Sequence, residues 1–91
     1  MDTSLFHTLF RDKPALILIA LLNAKQGSHA TELAKKVDCT YPHIVKILAG
    51  FKQQLLIEVS SSGRIKPIVL TFKGRKIAAL VNNLYTQLRE D

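Results

Sequence analysis

The chain has 91 residues, of which 47% are hydrophobic and 22% are charged, and its formal net charge at pH 7 is +6. A chain of this length forms one domain, and its apolar content is too high for a disordered protein. The longest apolar run, residues 15–22, has eight residues, whereas a membrane-spanning helix needs about 20. Composition therefore predicts a single folded domain, residues 1–91, with no membrane-spanning helix.

The start of the chain and its cysteine content bear on the compartment. Met1 is followed by Asp2 and a mixture of polar and apolar residues, so we expect no secretory signal peptide. The single cysteine, Cys39, cannot form an internal disulfide and fits a reducing compartment. We therefore expect a cytoplasmic protein.

Positive charge is concentrated in one segment. Residues 31–76 contain nine basic and three acidic side chains, while the rest of the chain contains four of each. A localised basic surface is typical of proteins that bind a polyanion, most often a nucleic acid. The charge pattern therefore favours a nucleic-acid partner.

The first two predicted elements are helices. Residues 1–12 are expected to form an amphipathic helical arm, because their apolar side chains recur at helical spacing. A longer, mostly apolar helix follows, with Asp12 as a suitable N-cap. It is expected to run to about Lys25 and to end at Gly27, because glycine accepts the positive φ of a helix stop.

Two more helices are predicted next, over residues 31–37 and 41–53. Asp38 separates them, Thr40 has the side chain of an N-cap, and Pro42 is tolerated in a first turn. The apolar side chains of the second helix, at Ile44, Ile47, Leu48 and Phe51, form one stripe. Two helices separated by so short a turn are typical of a helix-turn-helix.

The remaining chain predicts a hairpin and a last helix. Residues 56–59 and 64–70 have the pattern of strands and flank the turn sequence Ser-Ser-Ser-Gly. Pro67 cannot donate a ladder hydrogen bond, so it is expected on an edge or at the outer face of the sheet. Thr71 is expected to cap a final helix over residues 72–91.

Helix, helix-turn-helix, hairpin and helix is the element order of a winged helix, and three segments resemble the MarR-like winged-helix regulators. Residues 31–40 resemble their second helix and turn, and Ile44, Leu48 and Phe51 match core positions of their recognition helix. Residues 70–75, Leu-Thr-Phe-Lys-Gly-Arg, resemble their Leu-Thr-x-Lys-Gly-Arg signature. The layout is also similar to that of compact archaeal winged-helix proteins. The resemblance implies a mainly α fold with a small β-hairpin wing.

The chain departs from the MarR-like pattern at four places. Leu55 replaces the glycine that usually follows the recognition helix, so we expect another turn geometry there. Ser62 stands where many wings have an aspartate that braces the wing arginine, here Arg64. Pro67 interrupts the returning strand, and the chain ends one helix after the wing.

The resemblance implies a double-stranded DNA-binding transcriptional regulator. Its recognition helix would enter the major groove, and its wing would reach the adjacent minor groove or backbone. The residues expected to contact DNA are Thr40, Tyr41, Pro42, His43, Val45, Lys46, Lys52, Arg64 and Lys66.

The amount of apolar surface predicts a homodimer, because it exceeds what one small core needs. The last helix, residues 72–91, is the expected dimerisation helix, and Leu84 and Leu88 near its end should lie beyond the core of their own subunit. The expected interface residues are Leu5, Phe6, Leu9, Phe10, Leu80, Leu84, Tyr85 and Leu88.

Other functions have less support, although two stay open. The histidines His7, His29 and His43 lack a metal-like spacing with Cys39, which is expected to pack in the core. No catalytic constellation or phosphate-binding glycine motif is present, so we expect no enzyme and no cofactor. A winged-helix protein-docking module and a sequence-indifferent architectural chromatin protein remain as alternatives.

Overall fold

A computed structural model describes residues 12–60 and 67–89 of the protein. Within these ranges it contains, in chain order, α1 Asp12–Asn23, α2 Ala30–Lys36, α3 Tyr41–Gln53, β1 Ile57–Val59, β2 Ile68–Leu70 and α4 Phe72–Arg89. The two strands form one antiparallel hairpin. The predicted winged helix-turn-helix is therefore confirmed. The predicted arm before Asp12 and the tip of the wing lie outside the described residues, and the division of residues 1–91 into arm, domain and dimerisation helix stays a prediction.

Local signals place the starts of α2 and α3. The Thr40 side chain accepts a hydrogen bond from the His43 N–H at 3.4 Å, as expected of an N-cap, and α3 spans the predicted residues. α2 begins one residue earlier than predicted, where the Glu32 carboxylate accepts a hydrogen bond from the His29 N–H at 3.0 Å. That contact is one half of a capping box.

Each of the two helices of the helix-turn-helix ends in a turn of the same hydrogen-bonded type. After α2, Asp38 has φ 54° and the Cys39 N–H donates to the Ala34 carbonyl at 2.9 Å. After α3, Leu55 has φ 62° and the Leu56 N–H donates to the Phe51 carbonyl at 2.9 Å. Both are Schellman turns with a residue other than glycine in the left-handed position. Our expectation of a different geometry at Leu55 is therefore wrong.

The core lies where α1, α2 and α3 meet, and its fully buried large side chains are Ile17, Leu33 and Ile44, one from each helix. Burying a side chain of this size contributes about 1.5–3 kcal/mol. The other buried members of this core are Leu18, Leu21, Ala34, Val37, Leu48, Ile57, Leu70 and Ala78. The predicted apolar stripes of α2 and α3 thus hold the helix-turn-helix together.

β2 is paired on both of its edges. Val59 of β1 is opposite Ile68, and on the other side Ser28 and Ile68 exchange hydrogen bonds of 3.0 and 2.8 Å through their backbone N–H and carbonyl groups. Pro67 lies just before β2, where its carbonyl accepts a hydrogen bond from the Ser60 N–H at 2.8 Å. Since this pairing uses the carbonyl of Pro67 and not its missing N–H, the proline is compatible with the hairpin.

α4 packs along α1 and begins against the end of α3. Thr71 caps it as predicted, because its side-chain oxygen accepts a hydrogen bond from the Gly74 N–H at 3.0 Å. At the far end, Leu88 is only 7% exposed and packs with Ala15 of α1. The expectation that Leu88 lies beyond the core and faces a second subunit is therefore wrong, since its own α1 covers it.

Candidate nucleic-acid interface

The predicted DNA-contact residues of the helix-turn-helix lie together on the outer side of α3. The side chains of Ile44 and Leu48 are buried, and those of Ile47 and Phe51 are half-buried. The exposed residues of the set are Thr40, Tyr41, Pro42, His43, Val45, Lys46 and Lys52. The helix therefore buries its apolar stripe and presents every predicted contact to the exterior.

The exposed side of α3 carries positive charge and no negative charge. Its thirteen residues include Lys46 and Lys52 and no aspartate or glutamate. Tyr41 and Val45 lie one turn apart and are 54% and 44% exposed, so two apolar bodies are presented near the beginning of the helix. This surface can attract an anion and also make apolar contacts.

Two lysines from neighbouring helices bind the ends of the helix-turn-helix. Lys13 of α1 donates to the Val37 carbonyl after α2 at 2.6 Å, and Lys73 of α4 donates to the Gln54 carbonyl after α3 at 3.2 Å. Cations at a helix C-terminus are favourable because the last carbonyl groups carry partial negative charge. Sequence reasoning missed both contacts, since each partner is distant along the chain.

An open cavity of about 700 Å³ lies between the first turn of α1 and the side of α3. Its charged lining includes Asp12, Lys13 and Lys46, and Phe51 contributes an aromatic wall. The other lining residues are Pro14, His43, Ile47, Gly50, Gln53, Gln54 and Leu56. No motif in the sequence signalled this cavity, because packing of distant elements forms it. It brings α1 beside Lys46.

Several predicted residues lie outside the described part of the chain. These are the wing residues Arg64 and Lys66 and the interface residues Leu5, Phe6, Leu9 and Phe10, and their roles stay predictions. Among the described interface residues, Leu80 and Leu84 are exposed and Tyr85 is half-buried.

Metal-binding clusters and membrane-spanning helices are both absent from residues 12–60 and 67–89. Over these ranges, no three His, Cys, Asp or Glu side chains lie close enough to hold a metal ion. Cys39 is half-buried and packs against the core. No helix in the same ranges combines the length and hydropathy needed to cross a membrane.

Comparisons with known proteins bear on the fold. No family model matches the sequence. An uncharacterized protein of Archaeoglobus fulgidus is 27% identical over 94 residues, which covers 100% of this chain and 99% of that protein. The crystal structure of AF1382 from Archaeoglobus fulgidus is similar with a TM-score of 0.81 and 26% identity, over 93% of this chain and 97% of that chain.

A regulator of stated family has the same architecture. The MarR family transcriptional regulator SPO1453 from Silicibacter pomeroyi DSS-3 is similar with a TM-score of 0.78 and 20% identity. The alignment covers 94% of this chain and 65% of SPO1453, so this chain spans about two thirds of that regulator. The described part of the chain therefore has the winged helix-turn-helix fold of a MarR-family transcriptional regulator.

Proposed function

We propose that the protein is a double-stranded DNA-binding transcriptional regulator of the cytoplasm, and that it works without enzymatic activity or a cofactor. The observation that carries this proposal is the exposed face of α3, which has two lysines, two exposed apolar bodies and no carboxylate. Nucleic acid is the polyanion that such a face on a helix-turn-helix fits best.

The first turns of α3 would read the bases. In helix-turn-helix proteins the N-terminal residues of the second helix come nearest to the base edges. Lys46 suits a phosphate or the acceptor atoms of guanine, whereas Pro42 and Val45 suit a thymine methyl group. Tyr41 would contact phosphate or sugar, and Lys52 would contact the backbone.

The wing would make a second contact. Arg64 and Lys66 would reach the adjacent minor groove or its phosphates. The described base of the wing supports this role, because β2 pairs with both β1 and Ser28. The described base of the hairpin is therefore held on both sides of β2.

We further propose a homodimer. Leu80 and Leu84 are 67% and 37% exposed on α4, and they lie on neighbouring turns with Tyr85 beside them. The arm residues Leu5, Phe6, Leu9 and Phe10 would add to the same interface. A symmetric pair would place two recognition helices on half-sites about one helical turn, or 34 Å, apart.

The test is binding to mixed-sequence duplex DNA, followed by fluorescence anisotropy over a series of salt concentrations. We expect the logarithm of the affinity to fall linearly with the logarithm of salt, because phosphate contacts release counterions. Absence of binding at low salt would contradict the proposal and favour a docking module. Selection from random duplexes separates the remaining alternatives: an enriched sequence supports a regulator, whereas indifferent binding indicates an architectural protein.

A further inference from the structure

A small apolar surface lies at the junction between the end of α3 and the start of α4. Among the described large apolar side chains, Leu55 and Phe72 are the most exposed, at 69% and 79%. They are held near each other, because the side chain of Thr71 donates to the Leu55 carbonyl at 2.6 Å and the Thr71 N–H donates to the Leu56 carbonyl at 3.0 Å. We call Leu55, Phe72, Lys73, Arg75 and Lys76 the junction patch.

Leucine at position 55 has a steric cost for the chain by itself. Its φ of 62° lies in the left-handed region, which glycine adopts without the steric cost that a Cβ brings. Its side chain is also left in solvent. Thr71 and Lys73 hold this turn through the Leu55 and Gln54 carbonyls, but neither contact uses the Leu55 side chain. A position that breaks a local rule and leaves its apolar side chain without a packing role is often functional.

The rest of the junction patch is cationic. Lys73, Arg75 and Lys76 are exposed in the first turns of α4, and the ammonium of Lys76 lies 5.6 Å from the centre of the Phe72 ring. Lys73 is bound by the Gln54 carbonyl at the end of α3, whereas Arg75 and Lys76 lie at the N-terminus of α4, where cations oppose the helix dipole. Neither α3 nor α4 contains an aspartate or glutamate to offset them. A partner that brings carboxylates would therefore relieve repulsion at this patch.

The chemistry of the junction patch favours some kinds of binding partner over others. A nucleic-acid backbone would satisfy the cations but offers little apolar surface to Leu55 and Phe72. A second copy paired symmetrically through the patch would bring like charges together.

We propose that the junction patch is a docking site for an acidic segment of another protein, in which a large apolar side chain is flanked by carboxylates. The apolar side chain would cover Leu55 and Phe72, and the carboxylates would pair with Lys73, Arg75 and Lys76. The patch and the first residues of α3 are at opposite ends of a 13-residue helix, about 20 Å apart. The protein segment can therefore bind without covering the residues at the start of α3 that would read the bases.

The test uses the full chain and two fluorescein-labelled peptides. In the first peptide one Phe and two Leu are separated by Asp and Glu, and in the second these three residues are alanine. We expect the first peptide to bind with a Kd below about 1 mM and at least about tenfold more tightly than the second. Amide chemical shifts should change at Leu55, Phe72 and Lys73 and not across residues 41–46.

Two variants separate docking from folding. Leu55→Gly removes the apolar side chain and also relieves the positive φ, so its melting temperature should equal or exceed that of the wild type. Leu55→Gly and Phe72→Ala should each lower the affinity for the first peptide about tenfold, and the affinity for duplex DNA should stay unchanged. Val59→Thr, at another exposed apolar position, should leave peptide binding unchanged.

Four results of the peptide experiments would overturn this inference. They are no peptide binding at about 1 mM, equal binding of the two peptides, unchanged peptide binding by Leu55→Gly, and shift changes centred on residues 41–46. A loss of duplex affinity in Leu55→Gly and Phe72→Ala would identify the patch as a nucleic-acid surface. A change of either variant from dimer to monomer would identify it as a self-interface.

Discussion

Two helical glycines show how differently one residue type can serve the fold. A Cβ at Gly74, in the first turn of α4, would collide with the carbonyl oxygen of Leu56. At Gly50 in α3, a Cβ would meet no atom within 4 Å. Gly74 therefore permits close packing of α4 against the chain that leaves α3, whereas the surroundings of Gly50 leave room for a side chain. This gives a steric reason for the glycine of the Leu-Thr-x-Lys-Gly-Arg pattern.

The same substitution should have opposite effects at these two glycines. We expect Gly74→Ala to lower the free energy of unfolding by about 2 kcal/mol or more, because backbone must move to admit the methyl group. Gly50→Ala should raise it by up to about 1 kcal/mol, since alanine is the better helix former. Urea denaturation followed by circular dichroism measures both. Wild-type stability in Gly74→Ala would contradict the packing role.

Among the elements, α3 shows how much a sequence can predict when the signals are local. Its start follows from Thr40 and Pro42, and its buried face follows from the spacing of Ile44 and Leu48. Its C-terminal turn was mispredicted at Leu55, because propensity alone disfavours the conformation that this leucine adopts. Contacts supply the compensation: Lys73 binds the Gln54 carbonyl and Thr71 binds the Leu55 carbonyl.

A substitution on α3 tests its proposed role in DNA binding. Lys46→Ala should weaken duplex binding and lower the salt slope by about one unit if Lys46 contacts a phosphate, or relax specificity if it contacts a base. Because Lys46 is exposed, unfolding stability should change by less than about 0.5 kcal/mol. The matched control is Lys25→Ala, which removes the same charge outside the basic segment. If both variants lost the same affinity, the loss would come from the lower net charge and not from a contact made by Lys46.

For the whole molecule, α4 is the element that connects folding to assembly. Gly74, Ala78 and Leu88 are buried on one side. Leu80 and Leu84 are exposed on another. The first side packs within the subunit, and the second is the described surface that the proposed dimer would use.

Assembly is tested by placing charge on that exposed side of α4. Leu80→Glu with Leu84→Glu should give a monomer, because the carboxylates would be buried against a partner without compensation. Affinity for a two-site duplex should then fall, because linked binding raises effective concentration. The control, Ala79→Glu with Asn83→Glu, adds the same charge at exposed positions on a different side of α4. Sedimentation velocity distinguishes them, and a monomeric wild type or a dimeric leucine variant would contradict this interface.

Short-range patterns were enough to predict the described helices, the hairpin and most of the core. Capping residues act within three positions, and apolar spacing marks the buried side of a helix, so both can be seen without the fold. The exposed face of α3 followed from the same spacing. The basic segment, which motivated a nucleic-acid partner, is also a property of the chain itself.

Features that depend on contacts between distant residues could not be predicted in this way. Ser28 becomes a partner of β2, Lys13 and Lys73 bind carbonyl groups after α2 and α3, and Leu88 is covered by α1. The cavity beside α3 and the junction patch also arise from packing. Each joins residues far apart in the chain, and helical spacing shows which side of a helix is apolar but not which element covers it.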